Sequence, residues 1–332
     1  MLATVRGADL KSCFIDMSTL LKKYDKAKVF GIHTERDSIT FTCDTGTCYS
    51  RKIDLKPGKD FVSMDITVLF ADLSHFIPAK ADITLDITEY YVGIITPKSN
   101  MTLHIGESIV PQYKERGGTI IDLDYKTLRS SLQVFSGTSD LQKAFSRDFA
   151  ISYYGEHAVL RSPTMWIRTK SQGLNCVLSM DQLKSIVTFK PEFVEESDRL
   201  EFKKGDAILS VPKMLPTDED KMPTLCHGMK LYSVIDLGGI IKELLEVKKS
   251  IGVADADIHL HQNGFNLNVT KNGISLTEDY NAEGDSVFSF RYMIDLFTMC
   301  LNILGDEEPI TIKGKEDLIC LENTDTSILM SV

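Results

Sequence analysis

A short pattern that recurs six times is the feature of this chain that most constrains its fold. Each copy has a β-like run, an apolar residue followed by a polar one, and then an amphipathic stretch, as in VSMDITVLF at 62–70 and VLSMDQLKSI at 177–186. Ser or Asp at such a step favours a helix start, because its side-chain oxygen accepts from free N–H groups of the first turn. The steps fall at Met17-Ser18, Met64-Asp65, Leu123-Asp124, Met180-Asp181, Ile235-Asp236 and Phe290-Arg291.

The stretches after these steps predict a helix followed by antiparallel strands. Apolar residues recur three and four positions apart, as in Leu183, Ile186 and Val187, which is typical of one helix face. The fifth copy continues as IHLHQNGFNLNVTKNGISLTE, which alternates apolar and polar residues with Asn-Gly at both turns. The repeating unit is therefore predicted to be a strand, a helix and two or three further strands.

Six such units are expected to associate in pairs, because one unit alone cannot cover both faces of its own sheet and helix. Pairing neighbours predicts an α+β protein of three tandem domains, at residues 1–108, 109–220 and 221–332. The stretches at 107–118 and 212–228 are polar and contain Pro and Gly, as linkers do.

Composition limits the possible functions. Of the 332 residues, 37 are Lys or Arg and 47 are Asp or Glu, so the net charge is −10. A simple nucleic-acid coat would be basic, although positive charge gathered on one surface stays open. No apolar run approaches the ~20 residues of a membrane span, and the N-terminal sequence does not resemble a signal peptide. Seven cysteines, an odd number, predict free thiols in a reducing compartment, the cytoplasm.

The arrangement resembles the DNA polymerase sliding clamps, in particular their bacterial three-domain type. The resemblance covers the chain as a pattern and is best in the last repeat, in FSFRYMIDLFTMC, ITIKGKEDLICLEN and the terminal SILMSV. The family's Thr-Asp-Gly-His-Arg-Leu-like pocket strand is absent, and SPTMWIR at 162–168 is the comparable stretch. This departure suggests a divergent, phage-encoded member.

The resemblance implies a DNA-clamp fold, with helices lining a ring hole around duplex DNA and antiparallel sheets outside. Each domain would hold two β-α-β-β-β units, and two chains would close head to tail through edge strands near 94–105 and 266–277. Such a homodimer would tether a DNA polymerase for processive replication in a bacterial or phage-infected cell. The alternative is a clamp-like protein-binding scaffold, a transcription or recombination accessory that does not encircle DNA.

Cations on the helices would face the DNA in a clamp. Lys and Arg that reach phosphates loosely hold DNA without recognising its sequence, which is what sliding needs. The alternative is that these residues form the solvated face of amphipathic helices. The predicted DNA-binding residues are Lys22, Lys23, Lys26, Lys126, Arg129, Lys184, Lys190, Lys242, Lys248, Lys249 and Arg291.

The resemblance also implies a pocket near the C-terminus that takes short apolar peptides of the polymerase and the clamp loader. A Met-containing pocket is adaptable and suits several ligands. The alternative is that the C-terminal strand is apolar because it packs on the core. The predicted pocket residues are Trp166, Pro212, Ile328, Leu329, Met330 and Val332.

Catalytic and metal-binding motifs are weak, so we predict a protein that is not an enzyme and needs no cofactor or metal. Cys43 and Cys48 are not followed by a second Cys or His pair at zinc-finger spacing. His259 and His261 alternate as on the solvent face of a hairpin. The Asp-Thr-Gly at 44–46 occurs once, whereas an aspartic protease needs two copies for its carboxylate pair.

Overall fold

Antiparallel sheets make up most of the protein, together with a few α-helices. The computed structural model describes residues 1–21, 29–56, 63–106, 109–144, 149–220, 222, 230–235, 249, 255–261, 264–271, 274–283, 288–305, 309–315 and 317–331. Among these residues, no helix has the length and apolar character to cross a membrane. The helices are α1 (Gly7–Leu21), α2 (Tyr125–Ser136), α3 (Ser139–Ala144), α4 (Met180–Phe189) and α5 (Ile294–Leu304), and Asp218–Asp220 forms a 3₁₀ turn.

Strands pair antiparallel throughout the described sheets, and they fall into two compact units. Unit 1 comprises Met1–Tyr125 and Asp181–Lys213, and unit 2 comprises Lys126–Met180 and Met214–Val332. The strands are β1 (Leu2–Arg6), β2 (Val29–Glu35), β3 (Ser38–Asp44), β4 (Cys48–Asp54), β5 (Asp65–Leu69), β6 (Asp82–Ile87), β7 (Tyr91–Ile95), β8 (Asn100–His104), β9 (Thr119–Ile121), β10 (Ala150–Tyr154), β11 (His157–Arg161), β12 (Met165–Lys170), β13 (Cys176–Ser179), β14 (Phe193–Glu196), β15 (Arg199–Lys204), β16 (Ala207–Pro212), β17 (Lys230–Ile235), β18 (Asp255–His261), β19 (Gly264–Lys271), β20 (Ile274–Glu283), β21 (Phe288–Met293), β22 (Ile310–Lys315), β23 (Leu318–Glu322) and β24 (Thr326–Ser331).

Unit 1 holds a four-stranded sheet, β1-β6-β7-β8, and an eight-stranded sheet, β5-β2-β3-β4-β16-β15-β14-β9. The larger sheet is joined where β4 pairs with β16, with Cys48 opposite Ser210. Its core is aromatic, because Phe14 of α1 lies with its ring centroid 5.9 Å from that of Phe30 and 6.5 Å from that of Phe41. Strands from the predicted first and second domains thus share one sheet, and the predicted domain boundaries stay a prediction.

Unit 2 holds a twelve-stranded sheet in the order β13-β10-β11-β12-β24-β23-β22-β17-β20-β19-β18-β21. The strands β13-β10-β11-β12 are joined to the rest of this sheet where β12 pairs with β24. Helix α5 buries Phe297, Cys300 and Leu301, and the Cys300 sulfur lies 3.4 Å from that of Met330. The antiparallel hairpins predicted for the fifth copy are confirmed in β18, β19 and β20.

The predicted helix starts agree with the structure in two copies. Helix α4 begins at Met180, and α2 begins just after the step at Leu123-Asp124. In the fifth copy β17 ends at Ile235, and the predicted helix lies outside the described residues.

The predicted helix starts of three other copies are wrong. The first step, Met17-Ser18, lies inside α1. In the second copy, Asp65–Leu69 is the strand β5, paired with β2, because β-branched Ile66, Thr67 and Val68 favour a pleated surface. In the sixth copy, β21 continues through Met293 before α5 begins, so Arg291 lies on a strand.

Candidate nucleic-acid and partner-binding surfaces

Helices α1 and α4 of unit 1 are both anchored on strand β4. The Tyr49 hydroxyl donates to Asp16 Oδ2 of α1 over 3.1 Å, and the Tyr49 ring packs edge-on against Phe189 of α4. Arg51 donates from Nη1 to Ser12 Oγ over 2.7 Å. Burial raises the pKa of Asp16, against the opposing effect of Lys204, Tyr49 and Arg51. These contacts fix which faces of the two helices point outward.

The outward face of α4 carries one of the predicted cations, and another follows the helix. Lys184 is exposed, whereas Leu183 and Ile186 are buried. Lys190 is also exposed, and its backbone N–H donates to Ile186 O, so it ends the helix in the left-handed region at φ 55°. The predicted Lys22, Lys23 and Lys26 lie outside the described residues.

In unit 2, the exposed predicted cations of α2 lie one helical turn apart. Lys126 and Arg129 are both exposed, and Leu128, Ser131 and Phe135 are buried. Positions three apart share one face of a helix, so the two cations form one outward patch. Lys249 is also exposed, and the predicted Lys242 and Lys248 lie outside the described residues.

Helix α5, which belongs to the sixth copy of the repeat, contains no Lys or Arg. Helix α5 has the sequence IDLFTMCLNIL, and its exposed positions include Asp295 and Asn302. Arg291 is exposed on β21, opposite Asp257 of β18. The prediction also omitted Lys11 of α1, because the helix was placed too late; Leu10, Phe14 and Met17, spaced four and three apart, are the signal that locates it.

The predicted pocket residues of β24 lie on opposite faces of the sheet, because side chains alternate along a strand. Leu329 lies opposite Trp166 of β12 and belongs to a cluster with Trp166 packed against it. Ile328 and Met330 point to the other side of the sheet, where both are fully buried and Met330 meets Cys300 of α5. For Ile328 and Met330, core packing therefore accounts for the apolar side chain.

Two further residues were predicted for the pocket. Pro212 is the last residue of β16 and belongs to unit 1. Val332 lies outside the described residues.

The side of the unit 2 sheet that carries Trp166 and Leu329 is here called the Trp166 face. Sequence reasoning missed several of its other residues. Val159, Met222 and Cys320 are buried together with Leu329, and Tyr154 and Leu318 pack against them. The guanidinium of Arg161 lies 5.9 Å from the Trp166 ring centroid, within cation–π range. The cross-strand pair Arg161 and Trp166 could have been proposed only with the register of β11 against β12.

A second feature of unit 1 is the segment 109–118, here called the strap, which runs along the eight-stranded sheet. The N–H of Val110 donates to Thr67 Oγ1 on β5 over 2.9 Å. Further along, the Tyr113 hydroxyl donates to the Glu201 carboxylate and its oxygen lies 2.9 Å from Ser210 Oγ. The backbone N–H of Arg116 donates to the same carboxylate over 3.1 Å. Burial raises the pKa of Tyr113 to about 12.

Beneath the strap lies a lysine among carboxylates. Lys203 Nζ lies 2.9 Å from Glu195 and 3.8 Å from Glu201, and it also pairs with Glu115 of the strap. Only 7% of the Lys203 side chain and 1% of that of Glu201 are exposed. Within the described part of the chain, these three glutamates are the one group spaced to hold a metal ion. The lysine ammonium already supplies positive charge there.

The residues considered above for catalysis or metal binding are buried or hydrogen-bonded within the fold. Burial raises the pKa of Cys48 to about 12 and that of Cys43 well above its usual value, which disfavours the reactive thiolate. Asp44 accepts from the Gly46 N–H in the β3–β4 turn, where Gly46 has φ 92°. His259 lies 2.6 Å from Ser289 Oγ on the neighbouring strand.

Comparison with solved structures identifies the architecture. The polymerase III beta subunit of Caulobacter crescentus is 12% identical, with a TM-score of 0.77 over 100% of this chain and 99% of that one. The chain has the beta-clamp fold. The DNA polymerase III beta subunit of Pseudomonas aeruginosa shares it at 12% identity and a TM-score of 0.75, with the same coverage. So does the Helicobacter pylori beta clamp bound to a DNA ligase peptide, at 12% identity and a TM-score of 0.68, again with the same coverage.

The beta-clamp fold confirms the α+β class that the repeats predicted and the resemblance to the sliding clamps. No protein-family model matches the sequence, and no curated protein matches it in sequence. The fold therefore persists here with little sequence identity. Antiparallel pairing and a buried apolar face can be met by many different side chains.

Proposed function

We propose that this protein is a sliding clamp, in which two copies close into a ring that encircles duplex DNA and tethers a DNA polymerase. The observation that carries the proposal is the beta-clamp fold along the whole chain, shared with DNA polymerase III beta subunits. A protein with this role is not an enzyme, and it acts in the cytoplasm, where replication takes place.

The charge distribution supports contact with DNA. The chain carries a net charge of −10, yet exposed cations lie on the outward faces of α2 and α4, at Arg129 and Lys184. Exposed side chains of this kind contact phosphates without reading bases, so the DNA is held loosely and can slide. Enclosure by the ring, rather than affinity, would provide retention.

Open strand edges support closure into a ring. Among the described residues, β8 pairs as a strand with β7 alone, and β20 pairs with β19 along its length but with β17 only at Ala282 and Glu283. An open strand edge is a template for pairing with another chain. These strands overlap the segments predicted at 94–105 and 266–277. We propose that β8 of one copy pairs with β20 of the other, twice per ring.

The Trp166 face supports peptide docking. It combines apolar Leu329 with Trp166 and the cation of Arg161 on one side of the unit 2 sheet. The Helicobacter pylori clamp with this fold is bound to a DNA ligase peptide. We propose that the polymerase and the clamp loader of this protein dock apolar peptides on the Trp166 face.

Retention on circular DNA tests the proposal. Light scattering should give a mass near twice 37.2 kDa. The protein is diluted until it dissociates, mixed with nicked circular plasmid, concentrated and passed through a sizing column. The expected result is co-elution with the circle and release when the plasmid is linearised. A protein-binding scaffold would elute apart from both forms of DNA, which would overturn the proposal.

Removing two outward cations should weaken contact with short linear duplexes. The double variant Arg129→Ala, Lys184→Ala is expected to reduce the slope of log affinity against log salt by up to about 1.8, at about 0.9 for each lost phosphate contact. The matched control is Lys52→Ala, Lys98→Ala, which removes two exposed lysines that are not on helices. Equal slopes in the two double variants would contradict the assignment of these helix faces to DNA.

A further inference from the structure

The Trp166 face is already occupied by part of the same chain. Met222 is 7% exposed and lies in one buried cluster with Val159, Cys320 and Leu329, with Trp166 packed against the cluster. It lies just beyond the 3₁₀ turn Asp218–Asp220. All of these residues belong to unit 2.

Two polar contacts hold the main chain at Met222 and three residues before it. The Met222 N–H donates to the Tyr154 hydroxyl oxygen over 3.1 Å. Arg161 donates from Nη1 to the backbone oxygen of Glu219 over 2.7 Å, and lies 3.8 Å from the Glu219 carboxylate. Because the same guanidinium lies over the Trp166 ring, it links the acidic residue to the aromatic one. The arrangement is that of a peptide on a docking surface, with an apolar anchor, a main-chain hydrogen bond and an acidic residue three positions earlier.

We infer that Glu219 and Met222 act as an internal ligand of the Trp166 face, and that partner peptides carry the same chemistry. A partner peptide has an unbranched apolar residue where Met222 lies and an acidic residue three positions before it, for Arg161. To bind, it displaces Met222. The inference rests on the proposed function in one respect, that partner peptides dock on this face.

The internal ligand sets how tightly partners bind. A site that is open for only a fraction of the time binds a ligand with an affinity reduced by that fraction. Methionine suits this role because its flexible, unbranched side chain fills an apolar site and leaves it without rearranging branched neighbours. Removing the Met222 side chain should therefore raise the affinity for a peptide supplied from outside.

The test uses the full-length protein and the chain's own segment as the probe. The probe is the synthetic peptide PTDEDKMPT, which has the sequence of residues 216–224, and the reporter is the fluorescence of Trp166, the one tryptophan of the chain. Met222→Ala is expected to bind the peptide at least about tenfold more tightly than the unchanged protein. Glu219→Ala, at a side chain that is 87% exposed, should give a smaller gain in the same direction without disturbing the core.

Two substituted peptides serve as controls. Peptides with Ala in place of the methionine, or in place of the glutamate three positions before it, should bind Met222→Ala more weakly than PTDEDKMPT does. Equal titrations of the unchanged protein and both variants, or equal binding of the three peptides, would overturn the inference. The proposed ring is tested separately, since retention of the unchanged protein on circular DNA does not depend on this peptide.

Discussion

Replacing Lys203 with methionine is expected to destabilise the eight-stranded sheet of unit 1 by about 3–5 kcal/mol at neutral pH, the typical cost of breaking a buried ion pair. Lys203 is the cation among Glu115, Glu195 and Glu201, and Glu201 is 1% exposed. Without the ammonium, the buried Glu201 carboxyl loses the cation that lies 3.8 Å away. Methionine matches the length of the lysine stem, so the change removes charge with little loss of packing.

Hydrogen exchange of the β15 and β16 amides measures this effect locally. At 1.36 kcal/mol for each factor of ten, 3 kcal/mol corresponds to exchange faster by more than about a hundredfold. The control is Lys52→Met, since Lys52 and its partner Glu35 are each 56% exposed and such pairs contribute at most about 1 kcal/mol. An equal effect of the two substitutions would contradict the role given to Lys203.

The lysine cluster also marks the limit of what the sequence predicts. Lys203 and Glu201 lie on β15, whereas Tyr113 and Glu115 lie on the strap, more than eighty positions away in the chain. In the sequence, Lys203 stands in a strand-like run with no sign that it is buried. Lys203 is buried because the strap lies over it and contributes Glu115 as an ion-pair partner. The Trp166 face is similar, because the role of Met222 depends on β11, β12 and β24 lying side by side.

Local patterns succeeded where one signal dominated. Helix α4 was located correctly, because Met180-Asp181 combines a good first-turn residue with apolar residues at helical spacing. The similar phrase at Met64-Asp65 became a strand, because the residues after Asp65 are β-branched and have β2 as a partner. Two nearly identical phrases thus fold differently, and what separates them is the content of the next three positions and the sheet edge available to them.

Replacing Thr102 with proline is expected to convert the dimer into monomers and to abolish retention on circular DNA. Thr96 N–H donates to Ser99 O at the β7–β8 turn, and hydrogen-bonded pairs alternate along an antiparallel hairpin. Thr102, opposite Gly93, is therefore in a non-hydrogen-bonded pair, and its N–H points to the open side of β8. Proline removes that donor from the open edge and leaves the bonds to β7 intact.

The size of this effect follows from the symmetry of the proposed ring. Two copies have two equivalent interfaces, so each substitution acts twice. A loss of about 1.4 kcal/mol at each would raise the dissociation constant about a hundredfold. Thr102→Val, which keeps the N–H, is the matched control, and both variants should keep the circular dichroism of the unchanged protein. If Thr102→Pro stayed dimeric at the same concentrations, the copies would associate through another surface, and β8 would not be where the ring closes.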